Sequence, residues 1–163
     1  MNDIRKYINL IESDDDIILG ELPEYNTLVK QLKAVRYNPK DIQYMVNPSE
    51  QVQLTAVRQD GFVIKYIPNP SEEVQLVSVQ KNGLAIKFIL AKGIVPSIAV
   101  QRAAVLQNPF WALYYMIDHK LPISKMIQWT AAKRIKELGW KVSKDLSDKL
   151  DPDVQDYLRS NNQ

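Results

Sequence analysis

Few side chains in this sequence have the types and spacing that chemistry requires. One histidine is present, His119, with Asp118 beside it and Ser124 five residues on, the residue types of a nucleophile, its base and an orienting carboxylate. Neighbouring positions on a helix point about 100° apart, so this run is no preformed triad, and a surface histidine in a loop before Leu121-Pro122 is the simpler reading. Asp14-Asp15-Asp16 could bind a divalent cation only with ligands from elsewhere, because it lacks the Gly and Glu of a calcium loop. Five glycines in the whole chain leave little room for a phosphate-cradling loop. The expectation is a chain that is not an enzyme, with no catalytic residues, no metal site and no cofactor.

Two features could serve binding. The stretch Phe110-Trp111-Ala112-Leu113-Tyr114-Tyr115 could stack nucleobases, and charge is uneven around it. Residues 1–46 carry six Lys/Arg against eight Asp/Glu, or −2, whereas residues 95–150 carry nine against four, or +5. Lys125, Lys133, Arg134, Lys136, Lys141 and Lys144 then form a candidate nucleic-acid surface, although such charges more often only solvate a face. Lys133, Arg134, Lys136 and Lys141 flank an apolar stripe of Ala132, Ile135 and Trp140. Core is the commoner fate of the aromatics too. Tyr44, Tyr66, Phe88 and Tyr114 recur once per unit and read as a shared apolar spine, which leaves Trp111 and Trp129 as candidates for exposure.

The units in question are internal repeats. Leu32-Lys33-Ala34-Val35-Arg36 aligns with Leu54-Thr55-Ala56-Val57-Arg58 and Leu76-Val77-Ser78-Val79-Gln80 at a period of 22 residues, with further copies at Arg102-Ala103-Ala104-Val105-Leu106 and around Trp129-Thr130-Ala131-Ala132. Pro23, Pro48, Pro70, Pro96 and Pro122 open the units. Asn47-Pro48-Ser49-Glu50 and Asn69-Pro70-Ser71-Glu72 predict Asn at the N-cap and Pro at the first helical position. Asn38-Pro39, Asp60-Gly61, Asn82-Gly83 and Asn108-Pro109 then stop the helix and turn the chain, with Gly61 and Gly83 expected in left-handed conformation.

A short second helix follows each turn. A unit of 22 to 26 residues cannot bury its own apolar face, so successive units must stack. The predicted fold is all-α, a short α-solenoid of about five two-helix repeats in one domain: repeats at 23–46, 47–68, 69–94, 95–121 and 122–150, an N-terminal cap at 1–22 and a C-terminal cap at 151–163. Ile4, Tyr7, Ile8 and Ile11 make residues 2–13 an amphipathic first helix, and Asp151-Pro152-Asp153 starts a last one. With 45% apolar and 25% charged residues, no cysteine and no membrane-length apolar run, the chain is expected to be soluble.

Glutamine recurs in the repeat as well. Gln31, Gln53, Gln75, Gln101 and Gln128 hold one position in all five units, within the apolar arc. A buried amide needs partners, and the groups recurring once per unit are turn backbones. The expectation is a ladder of Gln-to-turn bonds that fixes unit spacing, with Ala34, Ala56, Ser78, Ala104 and Ala131 letting helices approach closely.

The residues of Pro48 to Gly61 and Pro70 to Gly83, with Pro, Val, Leu, Ala-Val and Asn-Gly in that order, resemble a family of uncharacterised helical repeats of bacteria, phages and large DNA viruses. The following unit matches with Pro96, Val100, Ala104, Val105 and Asn108 but has Arg102 for Leu and Pro109 for Gly. The opening Asp3-Ile4-Arg5-Lys6-Tyr7-Ile8 and Leu10-Ile11-Glu12 is similar to the N-terminus of many small tailed-phage proteins. The resemblance implies a helical-repeat fold without an assigned activity. Together these readings predict a phage protein-interaction or structural module, a virion component or a binder of a host bacterial protein, in the host cytoplasm or the virion. Arg36, Arg58, Lys65, Lys87, Lys133 and Arg134 are its candidate binding residues. Nucleic acid is the alternative partner, and no membrane role is expected.

Overall fold

The computed structural model of the chain describes residues 23–160, so the expected helix over residues 2–13, the Asp14-Asp15-Asp16 run and residues 161–163 lie outside the described residues. The chain is mostly helical, with no strand among the described residues. Helix α1 (Pro23–Tyr37) is followed by a 3-10 segment at Pro39–Tyr44, and α2 (Glu50–Gln59) by one at Gly61–Tyr66. After α3 (Glu72–Lys81) the 3-10 turn Gly83–Ala85 runs into α4 (Ile86–Ala91). Then come α5 (Ile98–Gln107), α6 (Pro109–Asp118), α7 (Lys125–Glu137), the short α8 (Lys144–Ser147) and α9 (Pro152–Arg159). The period grows from 22 to 26 residues because the second segment gains about one helical turn, passing from a six-residue 3-10 segment to the ten-residue α6.

Each first helix packs on the next in chain order, α1 on α2, α2 on α3, α3 on α5, α5 on α7 and α7 on α9. The second segments likewise touch one another in chain order. Buried at the seams is one column, Val52, Val74, Val100, Ile127 and Val154, and four residues after its first four members the small residues Ala56, Ser78, Ala104 and Ala131. Spacing of four keeps both on one helical face. Burying each valine stabilises by about 1.5 to 3 kcal/mol.

Helix starts differ from the expected pattern. The caps are Ser49, Ser71, Ser97 and Ser124, so Pro48, Pro70 and Pro96 precede the cap by one residue and Pro122 by two, and none occupies the first helical position. In three of the four the serine hydroxyl reaches the third helical amide: Ser71 accepts from Val74 N, Ser97 from Val100 N and Ser124 from Ile127 N, whereas Ser49 makes no such bond. Asn47 is no cap; it sits at φ 49° in the preceding loop.

The proline carbonyls meet the glutamines. Gln53 Nε2 donates to Pro48 O at 2.8 Å, Gln75 to Pro70 O at 3.0 Å, Gln101 to Pro96 O at 3.0 Å and Gln128 to Ile123 O at 3.1 Å. Each bond stays within its own unit, holding the entry loop to the helix it precedes. A link between units is made by Gln128, whose Oε1 accepts from Asp151 N at 2.7 Å. Gln31 is half-buried and makes no such bond among the described residues, because α1 begins at Pro23 and the carbonyl five residues back is already inside the helix. Gln155, not singled out above, bonds Leu150 O at 2.8 Å, so α9 repeats the first-helix pattern a further time.

Gly61 and Gly83 also differ from expectation. Neither has positive φ; among the described residues the left-handed glycines are Gly93 (φ 72°) and Gly139 (φ 67°). Gly61 and Gly83 open the second segments after the caps Asp60 and Asn82, whose side chains accept from Phe62 N and Leu84 N. They are glycines because the next unit leaves no space: a Cβ on Gly61 would stand 2.5 Å from Ser78 O, and one on Gly83 2.7 Å from Ala104 O. Ser78 Oγ also donates to Gly61 O at 2.9 Å, tying the turn to the following helix.

Candidate binding face and cationic pocket

The row of second segments exposes aromatic rings. Tyr44 is 79% exposed and Tyr114 38%, while Tyr66 and Phe88 are half-buried and packed against the core, so only the middle of this column behaves as the expected spine. Two residues earlier stand Ile42, Ile64, Ile86 and Ala112, all buried. Positions two apart on a tight helix point to opposite sides, and the aliphatic set took the inside.

The rings touch one another. Phe62 meets Phe88 edge-on at 5.8 Å, while Trp111 lies 5.2 Å from Phe110, 5.7 Å from Tyr114 and 6.1 Å from Tyr115. Lys65 Nζ sits 4.7 Å from the Tyr66 ring, and Lys87 Nζ 4.8 Å from Phe88 and 6.0 Å from Tyr115. Lys92 Nζ donates to Lys65 O at 3.0 Å, and partial burial lowers its pKa. Beyond Trp111, a cleft of about 480 Å³ opens between Phe110 and Trp111 on one wall and Gly139, Trp140 and Lys141 on the other.

Trp140 does not continue the buried stripe of Ala132 and Ile135. Helix α7 ends at Glu137, Gly139 turns the chain, and Trp140 emerges 45% exposed, as Trp111 does. Trp129 is half-buried, 5.0 Å from the Tyr157 ring of α9.

Arg36 and Arg58 are exposed in the last turns of α1 and α2, on the first-helix row and not on the aromatic face that gathers Lys65 and Lys87. The basic C-terminal set is divided. Lys125 pairs with Asp153 at 2.5 Å and Asp151 at 3.2 Å, and these hydrogen bonds raise its pKa. Arg134 pairs with Glu137 at 3.1 Å, and Lys136 lies 3.8 Å from the Tyr157 ring. Lys133, Lys141 and Lys144 make no ion pair among the described residues.

No nucleophile forms around His119. Its Nδ1 lies 3.0 Å from Tyr115 O and 3.9 Å from Asp118, while Ser124 is occupied as the cap of α7. Among the described residues no group of three His, Asp or Glu side chains could hold a metal ion, and no helix is long and apolar enough to cross a membrane.

Sequence reasoning missed a small pocket beside the indole cleft. Lys136, Trp140, Lys141, Ser147 and Arg159 contribute to its wall, and its volume is about 150 Å³. Ser147 is 7% exposed, and its Oγ has no hydrogen-bond partner. No sequence motif flags it, because its residues come from α7, the following loop, α8 and α9. The chain matches no family model, and no curated protein and no solved structure is significantly similar to it.

Proposed function

We propose that this chain is a short α-solenoid of about five two-helix repeats that acts as a non-enzymatic protein-interaction module, gripping its partner with the row of second segments. The observation that carries this reading is the aromatic and lysine face running from Tyr66 and Phe62 through Phe88 and Tyr115 to Trp111. Half-buried Tyr66, Phe88 and Tyr115 beside lysines, with exposed Trp111 at the end of the row, are the kinds of side chain that dominate protein interfaces, and repeats set them at regular intervals. Such a face favours a partner segment rich in apolar and acidic side chains. A nucleic-acid partner draws less support, since Lys125 and Arg134 are already neutralised by carboxylates and steep phosphate binding needs many free cations. The likeness to phage and viral repeats supports a phage origin, with a virion or host bacterial protein as the partner.

The test is affinity capture from a bacterial lysate with the wild-type chain and with Lys87→Glu plus Trp111→Ala, each checked for helix content. A defined protein retained by the wild type and lost from the variant supports the reading. Equal retention refutes the face, and capture abolished by nuclease refutes the protein partner.

A further inference from the structure

We propose that the second-segment face takes a polyproline-II segment whose acidic side chains recur every third residue, Lys65 and Lys87 receiving successive carboxylates. This names the ligand of the partner face described above and rests on that reading. The argument begins with charge. Among the described residues Lys65, Lys87 and Lys92 make no ion pair. Between Gly61 and Ile117 the acids are Glu72 and Glu73, and both lie in the first turn of α3, on the first-helix row. The face thus gathers ammonium groups that the chain itself does not neutralise, with Lys92 held behind Lys65 by its bond to Lys65 O. Carboxylates from outside supply the missing charge.

Spacing narrows the ligand. Lys65 and Lys87 hold the same place in consecutive units, and the second segments of those units touch. Packed helical elements stand about 8 to 10 Å apart, so the ligand must present one carboxylate per step of that length, all on one side. A β-strand fails, because positions three apart point to opposite faces and positions two apart are separated by only about 6.6 Å. A polyproline-II helix rises about 3.1 Å per residue with three residues per turn, which returns every third side chain to one face after about 9.3 Å. An α-helix also meets the spacing, with side chains seven apart separated by about 10.5 Å.

The rings decide between these two. A helix laid in a groove buries an aliphatic stripe against aliphatic surface. Among the described residues the largely exposed apolar side chains of the second segments are Tyr44, Trp111 and Tyr114, and none is aliphatic. Lys87 Nζ lies 5.9 Å from the Phe62 ring, 4.8 Å from Phe88 and 6.0 Å from Tyr115, rings of three successive units. Phe62 and Phe88 meet edge-on, as do Trp111 and Tyr114. Aromatic-lined surfaces of this kind are where proline-rich segments dock, since their preformed helix has little entropy to lose.

Fluorescence anisotropy with the full chain at about 0.15 M salt tests the assignment. The probe is a fluorescein-labelled peptide of about five Pro-Pro-Glu triplets. A second peptide has the same composition with its glutamates clustered at one end, and a third is an alanine-rich helix with glutamate at every seventh position. The triplet peptide binds, the clustered one binds about tenfold more weakly, and the helical one no better than the clustered one. Lys65→Gln and Lys87→Gln each weaken the triplet peptide about fivefold, the loss of one exposed ion pair. Lys81→Gln, in the last turn of α3 on the first-helix row, leaves it unchanged. A triplet peptide that does not bind, equal affinity for the clustered peptide, tighter binding of the helical one, or affinity unchanged in both Lys65→Gln and Lys87→Gln overturns the inference. If the triplet peptide fails while lysate capture is still lost from Lys87→Glu plus Trp111→Ala, the face stands and its polyproline-II ligand falls; if capture also persists in that variant, the face falls with it.

Discussion

Replacing Gly83 by alanine separates two reasons for a glycine, and the geometry gives each a magnitude. At an ordinary negative φ inside a helical turn, alanine stabilises relative to glycine by about 0.5 to 1 kcal/mol, because the unfolded chain loses freedom. Against that, the new Cβ would stand 2.7 Å from Ala104 O, 2.9 Å from Asn108 N and 3.0 Å from Asn108 Cβ, inside the separation of any ordinary carbon contact. Two of the opposing atoms are backbone, so no rotamer change relieves the overlap and α3 to α5 spacing must yield. Overpacking of this kind costs about 1 to 3 kcal/mol. The net expectation is destabilisation of about 1 to 2 kcal/mol, a lowering of Tm by about 2 to 8 °C for a chain of this size. Thermal and urea unfolding followed by far-ultraviolet circular dichroism reads it. Gly93 supplies the contrast, with φ 72° and nothing near a built Cβ. Gly93→Ala costs about 1 kcal/mol from backbone conformation, and asparagine recovers most of that. At Gly83 asparagine is no better than alanine. A neutral or stabilising Gly83→Ala, or rescue by asparagine there, refutes the close-approach argument.

The other predictions concern buried polar groups. Gln75→Leu destabilises by about 1 to 3 kcal/mol in urea melts, since it orphans the carbonyl of buried Pro70, whereas Gln31→Leu stays within about 0.5 kcal/mol because no such bond is lost. An equal effect at both positions contradicts the pairing. Ser147→Ala raises stability by about 1 kcal/mol, through removal of an unsatisfied buried hydroxyl. Urea melts of the two proteins read it, and a destabilised variant contradicts the orphaned hydroxyl. His119→Ala leaves stability within about 0.5 kcal/mol and partner capture unchanged, since its ring is engaged only with Tyr115 O and Asp118 near the surface.

Much of the fold was legible because the repeat made each weak signal recur. Val52, Val74 and Val100 sit where the periodicity puts them, and the small residues at Ala56, Ser78 and Ala104 line the seams. What misled was chemistry that two geometries share. Asn-Pro-Ser-Glu can cap through Asn or through Ser, and sequence does not reveal that the proline carbonyl is wanted by a glutamine five residues on. Asn-Gly reads as a left-handed turn, yet the glycine at 83 answers to Ala104 of the next unit, a contact with no local trace. The aromatic column was found, but its ends Tyr44 and Tyr114 face outward, because a short 3-10 segment has two candidate inner faces and periodicity alone does not choose between Ile42 and Tyr44. The cationic pocket was invisible, since Lys136, Ser147 and Arg159 meet only once α9 has docked on α7.

Whether a partner is held by the second-segment face is read by site-specific photocrosslinking in the bacterial cytoplasm. A photoreactive phenylalanine analogue is placed at Tyr66, Phe88 or Trp111 on that face, and at Lys81 or Arg102 on the first-helix row as controls. The expected result is one protein adduct of constant mass, formed from all three face positions and from neither control. Adducts from Lys81 and Arg102 with none from the face would contradict it.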